Sequence, residues 1–212
     1  MSLFKKHVQF PNRTMEQLKS SVNILFIDNE DFNLTTELKE KEGWRHLTCV
    51  SDIDSLSQPE LVDAHIVCTD IQGVGKELGF TDEGLGLIAA IHSHYPEKKI
   101  IMYSSEAQGR IDAFHPAEGY VNARLRKSAN RYQFETQIER LAQEAFCLDA
   151  CAINIQRVLN RELGTDMSIE EIKKGIERLY SKGKADSRSI CKVFGLNNAG
   201  SLASIISLLI SL

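Results

Sequence analysis

Four short apolar runs alternate with polar, helix-like stretches over the first two-thirds of the chain, and each run leads into a reactive side chain. Val22-Asn23-Ile24-Leu25-Phe26-Ile27 leads into Asp28, and Ala64-His65-Ile66-Val67-Cys68-Thr69 into Asp70. Ile100-Ile101-Met102-Tyr103 leads into Ser104, and the more polar stretch from Gly119 to Arg126 into Lys127. Continuous β-branched runs of this length suit strands buried on both faces of a parallel sheet. A further strand is predicted from Trp44 to Val50. Between the strands the pattern predicts helices over 33–42, closed by Gly43, over 53–62, and over 84–94, ended by Tyr95-Pro96. Such alternation indicates an α/β sandwich with right-handed crossovers.

The texture changes beyond this region. From Gln133 to Leu163 the apolar residues Phe134, Ile138, Leu141, Ala145, Leu148, Ala152, Ile155 and Leu159 keep helical spacing, which predicts one long helix ended by Gly164. Ser168-Ile169-Glu170-Glu171 has the form of a capped helix start, leading to a helix that runs to about Ser181. Two more helices are expected near 186–194 and 199–211. The expected organisation is an N-terminal arm over 1–21 with a short helix from Thr14 to Ser20, an α/β domain over 22–143, and a helical domain over 144–212. The glycines of the segment from Ile71 to Glu83 predict a loop, with Gly73-Val74-Gly75 as a flexible turn rather than a phosphate-binding motif.

Composition changes the picture little. Hydrophobic residues make up 42% and charged residues 25% of the 212 residues, which describes an ordinary globular protein. The net charge of −4 gives no basic excess of the kind a nucleic-acid footprint needs. Five cysteines form no CxxC pair and no zinc spacing, and Cys147 and Cys151 are expected on one helix face. An odd number of thiols and the lack of a signal-like start point to a reducing, cytoplasmic setting. The apolar stretch from Ser204 to Leu212 is too short and serine-rich to cross a bilayer.

In a parallel sheet the carboxyl ends of the strands point one way, so Asp28, Asp70, Ser104 and Lys127 are expected in one crevice. This order of residues resembles the receiver domain of bacterial response regulators, over about residues 22–143. Receivers carry an acidic pair after the first strand, a phospho-accepting aspartate after the third, Ser/Thr after the fourth and Lys after the fifth. Here those positions are Asp28-Asn29, Asp70, Ser104 and Lys127. The resemblance implies a five-stranded parallel sheet of flavodoxin-like, doubly wound order with a small all-α C-terminal domain. It also implies Asp70 as phosphoacceptor, with Lys127 and Ser104 assisting and Mg²⁺ held by Asp28, Asp70 and, weakly, Asn29. The chain departs from the pattern at Asn29, a neutral ligand in place of the second acid, at Ser128 in place of proline, and in the length of the segment from Gln72 to Glu83. That segment is expected over the crevice, as a lid or contact surface.

The resemblance further implies a non-enzymatic signalling protein of two-component or phosphorelay type, with a histidine kinase or phosphotransfer protein as partner. Residues 186–200 have a helix–turn–helix rhythm, but the would-be recognition helix Ser201–Leu212 has no Arg, Lys, Asn or Gln to read bases. Its Leu/Ile content instead predicts burial against neighbouring helices, a protein partner or a second copy in a homodimer. The alternative readings are a phosphorylation-independent pseudo-receiver adaptor, a DNA-binding regulator, and a phosphatase-like hydrolase. The last lacks a general acid and a DxD loop.

Overall fold

The computed structural model describes residues 13–31, 33–105, 115–184 and 186–197. These fall into two compact units, one spanning Thr14–Ala145 and the other Phe146 onward together with Arg13. In the first unit the strands are β1 (Asn23–Ile27), β2 (His46–Val50), β3 (Ile66–Asp70), β4 (Lys99–Ser104) and β5 (Ala123–Arg126). They pair in parallel in the order β2-β1-β3-β4-β5, the flavodoxin-like order expected from the sequence. β3 is buried at every position and β1 at all but its first, as continuous apolar runs require.

The helices of this unit are α1 (Met15–Lys19), α2 (Leu34–Glu40), α3 (Pro59–Asp63), α4 (Gly84–His94) and α5 (Arg131–Ala145), with a 3₁₀ turn at Pro116–Gly119. Leu25, Ile27, Val67, Ile100 and Met102 pack on one face of the sheet with Leu61 of α3 and Leu87, Ile88 and Ile91 of α4. On the other face Phe26 and Tyr103 meet Phe134 of α5, with ring centroids 6.4 and 5.6 Å from it. Trp44, the chain's one tryptophan, is wholly buried just before β2. α1 opens on a Thr14–Gln17 capping box and buries Leu18, so this stretch of the expected arm is part of the sheet unit.

At the amino ends of the strands, His65 Nδ1 accepts the Asn23 N–H at 3.0 Å. Lys98 Nζ donates to the carbonyls of Val62 and Ala64 at 2.8 and 2.6 Å. Burial, and then the charge of Lys98, lower the His65 pKa from 6.5 to about 4. The folded state therefore holds a neutral ring. Its stability contribution is complete above the unfolded value of 6.5 and is lost as pH falls toward about 4, by up to about 3 kcal/mol. Urea unfolding at about pH 7 and about pH 4.5 checks this, the wild type losing more stability between the two than His65→Asn.

The second unit contains α6 (Leu148–Leu163), α7 (Ile169–Ser181) and α8 (Ser187–Phe194). α7 begins at the expected cap: Ser168 accepts the Glu171 N–H, and Glu171 reaches back to the Ser168 N–H at 3.0 Å. Gly175 lets α7 approach α8 closely, because a Cβ there would stand 2.8 Å from Phe194 Cε1. The expected continuous helix over 133–163 is instead two helices. Its apolar period runs on unbroken, but the backbone at Cys147 is extended (φ −73°, ψ 159°) and its Sγ accepts the Ala150 N–H at 3.5 Å. Cys147 therefore caps α6 rather than sharing a face with Cys151. The helix expected over 199–211 and the first residues of the arm lie outside the described residues.

Candidate functional site

β1 has β2 on one side and β3 on the other, so the direction of strand addition reverses between β1 and β3. In open α/β sheets the crevice outside the carboxyl ends of the strands at such a point is where ligands are held. Asp28 directly follows β1, and Asp70 is the last residue of β3. Lys127 directly follows β5, and its N–H donates to the Ser104 carbonyl at 2.7 Å, which ties the end of β5 to the end of β4. From there the Lys127 ammonium donates to Asp28 Oδ1 at 2.9 Å, Asp70 Oδ2 at 2.8 Å and Glu30 Oε2 at 2.8 Å. Three acids thus converge on one lysine, which leaves an excess of two negative charges.

The carboxylates are held from behind as well. Asp70 Oδ1 accepts the N–H groups of Ile71 and Gln72 at 2.6 and 3.1 Å. Asp28 Oδ1 accepts the Glu30 N–H at 3.0 Å, and Asp28 Oδ2 accepts the Tyr103 hydroxyl at 3.0 Å. Burial, and then the Asp28 charge, push the Tyr103 phenol far up, so it stays a donor. Burial works against the Lys127 ammonium, but its bonds to Asp28, Asp70 and Glu30 outweigh this and raise its pKa. Beside Asp28 opens a polar cavity of about 390 Å³, lined among others by Asn29, Glu30, Asp31, Thr35 and Ser51.

The structure therefore brings Asp28, Asp70 and Lys127 together, with Ser104, almost fully buried, joined to them through the backbone. Asn29 stands at the edge of this group. Its side chain lies over Gly73, where an added Cβ would be 2.5 Å from Asn29 Oδ1 and the backbone has φ +78°. Two further participants carry no mark in the sequence pattern: Tyr103, within the apolar run of β4, donates its hydroxyl to Asp28, and Glu30, in the turn after β1, accepts from Lys127.

Among the described residues no three His, Cys, Asp or Glu side chains are grouped so as to hold a metal ion. The point on which Asp28 and Asp70 converge is filled by the Lys127 ammonium. That occupant is itself a cation, so the position suits positive charge. Two carboxylates with an amide oxygen nearby are also the donor type Mg²⁺ takes while keeping several waters.

The segment Ile71–Glu83, expected to be flexible at Gly73-Val74-Gly75, is instead anchored. Val74 is wholly buried, and Leu78 and Phe80 pack against the core on the α4 face. Gly84, which opens α4, has no room for a side chain: a Cβ would stand 2.4 Å from the Asp70 carbonyl oxygen.

No protein-family model matches the sequence, and no match was found among curated proteins. Among solved structures, the chain is similar to the receiver domain of NtrX from Brucella abortus, at 24% identity over 57% of this chain and 98% of that one, with a TM-score of 0.46. It is also similar to the signal receiver domain of an HD domain-containing protein from Pseudomonas fluorescens Pf-5, at 16% identity over 58% and 88%, with a TM-score of 0.48. A third is a response regulator from Burkholderia pseudomallei with a phosphorylated aspartic acid, a calcium ion and citrate, at 19% identity over 82% and 93%, with a TM-score of 0.41. The flavodoxin-like fold rests on the chain's own sheet order, and these three solved structures are two receiver domains and a response regulator.

Proposed function

We propose that this chain is a response-regulator-type signalling protein that accepts a phosphoryl group on Asp70 and passes the change to a protein partner through its helical unit. The observation that carries this reading is the meeting of Asp28, Asp70 and Lys127 at the switch point of the sheet. Asp70 Oδ1 is engaged by two backbone N–H groups, so Oδ2 is the atom that faces a donor. Its lone pair forms the O–P bond as the P–N bond of a phosphohistidine breaks, and the imidazole leaves with the electron pair and takes up a proton. Lys127 Nζ, already on Oδ2, follows the new phosphate oxygens as a point charge. A magnesium ion held by Asp28, Asp70 and Asn29 would offset the negative charges of the acid and the incoming group. The acyl phosphate carries roughly −1.5 to −2 charges where the carboxylate carried one, and it brings three acceptor oxygens beside the end of β4, which shifts the population of conformers there.

A second reading, a constitutive pseudo-receiver adaptor, is favoured by one specific observation. The Lys127 ammonium already satisfies both buried carboxylates, and Asn29 supplies no further charge with which a divalent ion could displace it. Incubation with a small acyl phosphate and Mg²⁺, followed by intact mass measurement, separates the two. A single phosphoryl adduct, lost in Asp70→Ala, is expected. No adduct at any Mg²⁺ concentration sinks the first reading and leaves the adaptor.

A further inference from the structure

Two carboxylates outside the crevice hold the segment between β3 and α4. Asp52, in the loop after β2, accepts the N–H groups of Ile53 and Gly75 through Oδ1 at 2.8 and 2.5 Å. Through Oδ2 it accepts the Glu77 N–H at 3.1 Å. Glu83, at the far end of the segment, accepts the Gly73 N–H at 2.5 Å through Oε2 and pairs with Lys76 at 3.2 Å through Oε1. The Glu83 backbone is at φ 50°, ψ −127°, a conformation that is costly for any residue with a Cβ. Such a conformation persists only where the surroundings impose it, and here the side chain of the strained residue is itself one of the anchors.

Both ends of the segment touch the site. Ile71 and Gln72 donate their N–H groups to Asp70 Oδ1. Gly73 lies against the Asn29 side chain, and Gly84 against the Asp70 carbonyl. The hydrogen bonds of Asp52 and Glu83 are therefore connected through a few peptide units to the orientation of the acid that receives the phosphoryl group. Charge-assisted bonds from a carboxylate to backbone N–H groups are among the stronger anchors a loop can have.

We propose that Asp52 and Glu83 are positioning residues for phosphoryl transfer, which lock the backbone of 73–84 and so hold the Asp70 carboxylate and Asn29 in register with the incoming group. The proposal rests on the reading of Asp70 as phosphoacceptor. Displacement of a reacting group by about an ångström can cost on the order of a hundredfold in rate, so a loosened segment is visible in kinetics even when the fold survives.

The test is the rate of phosphoryl uptake by the full chain from a small acyl phosphate with Mg²⁺, followed by intact mass over a range of donor concentrations. Asp52→Ala is expected to lower the maximum rate by about tenfold or more while the half-saturating donor concentration stays unchanged. Asp52→Asn, which keeps an oxygen for Ile53 and Gly75, is expected to recover most of that rate. A merely structural role does not predict this split or this rescue. A wild-type rate in Asp52→Ala, or an Asn variant as slow as the Ala variant, overturns the proposal. If Asp52→Ala does not fold, Glu83→Ala, which removes the acceptor of the Gly73 N–H, decides: a lowered maximum rate at unchanged half-saturation supports the positioning role, and a wild-type rate overturns it. If the wild type itself takes up no phosphoryl group, the reading of Asp70 fails and the positioning role fails with it. Uptake by the wild type with unaffected variants defeats the positioning role alone.

Discussion

Replacement of Lys127 by methionine is expected to lower the free energy of unfolding by about 3 kcal/mol at neutral pH, because it strands two buried carboxylates without a counter-charge. The side chains of Asp28 and Asp70 are 5% and 4% exposed, and that of Lys127 is 12% exposed, so water screens these contacts poorly. The third contact counts for little, since Glu30 is 68% exposed and an ion pair in that setting contributes under about 1 kcal/mol. The lysine pKa is raised above its ordinary 10.5, so its contribution is complete at neutral pH and is lost only as pH rises past that value. Urea unfolding with and without MgCl₂ gives the check. Mg²⁺ is expected to stabilise Lys127→Met more than the wild type, because the substitution vacates a position suited to a cation. An equal effect of Mg²⁺ on both proteins would mean that the carboxylates do not accept a divalent ion in place of the ammonium.

A second large effect is expected on the opposite side of the same network. Phe134 is wholly buried and stands edge-on to Tyr103, with centroids 5.6 Å apart, and tilted against Phe26. Phe134→Ala removes that ring and is expected to cost about 3–5 kcal/mol through lost burial and the cavity left behind. Phe134→Leu keeps most of the volume and is expected to cost less than about 1.5 kcal/mol. Both are read by urea unfolding. The substitution also bears on the site, because the ring supports the tyrosine whose hydroxyl bonds Asp28. A loss below about 1 kcal/mol in the alanine variant would show that the three-ring cluster is not what holds that face of the sheet together.

Much of the crevice was legible in the sequence because its logic is local. A run such as Ile24-Leu25-Phe26-Ile27 declares a buried strand, and parallel topology then collects the residues that follow the strands, wherever they lie along the chain. Asp28, Asp70 and Lys127 meet for that reason. The contacts that escaped depend on side-chain reach and loop path. Tyr103 finds Asp28 only because its ring rises along the strand far enough to place the hydroxyl at the carboxylate. Glu30 returns to Lys127 through a turn that periodicity does not describe. The anchoring of the segment after β3 was hidden for another reason. Asp52 binds backbone N–H groups, which every residue but proline carries, so no pattern in 73–77 marks them as its partners. The break at Cys147 was masked by an apolar period that continues across it while the backbone does not.

Trp44 offers a practical dividend. Since this indole is the chain's one such chromophore and sits wholly within the sheet unit, its emission spectrum is a private reporter for the scaffold beneath Asp28 and Asp70. Far-ultraviolet dichroism, by contrast, sums the helices of both units. Melting curves followed by the two signals will superimpose if the halves of the molecule unfold together, and will separate if either outlasts the other.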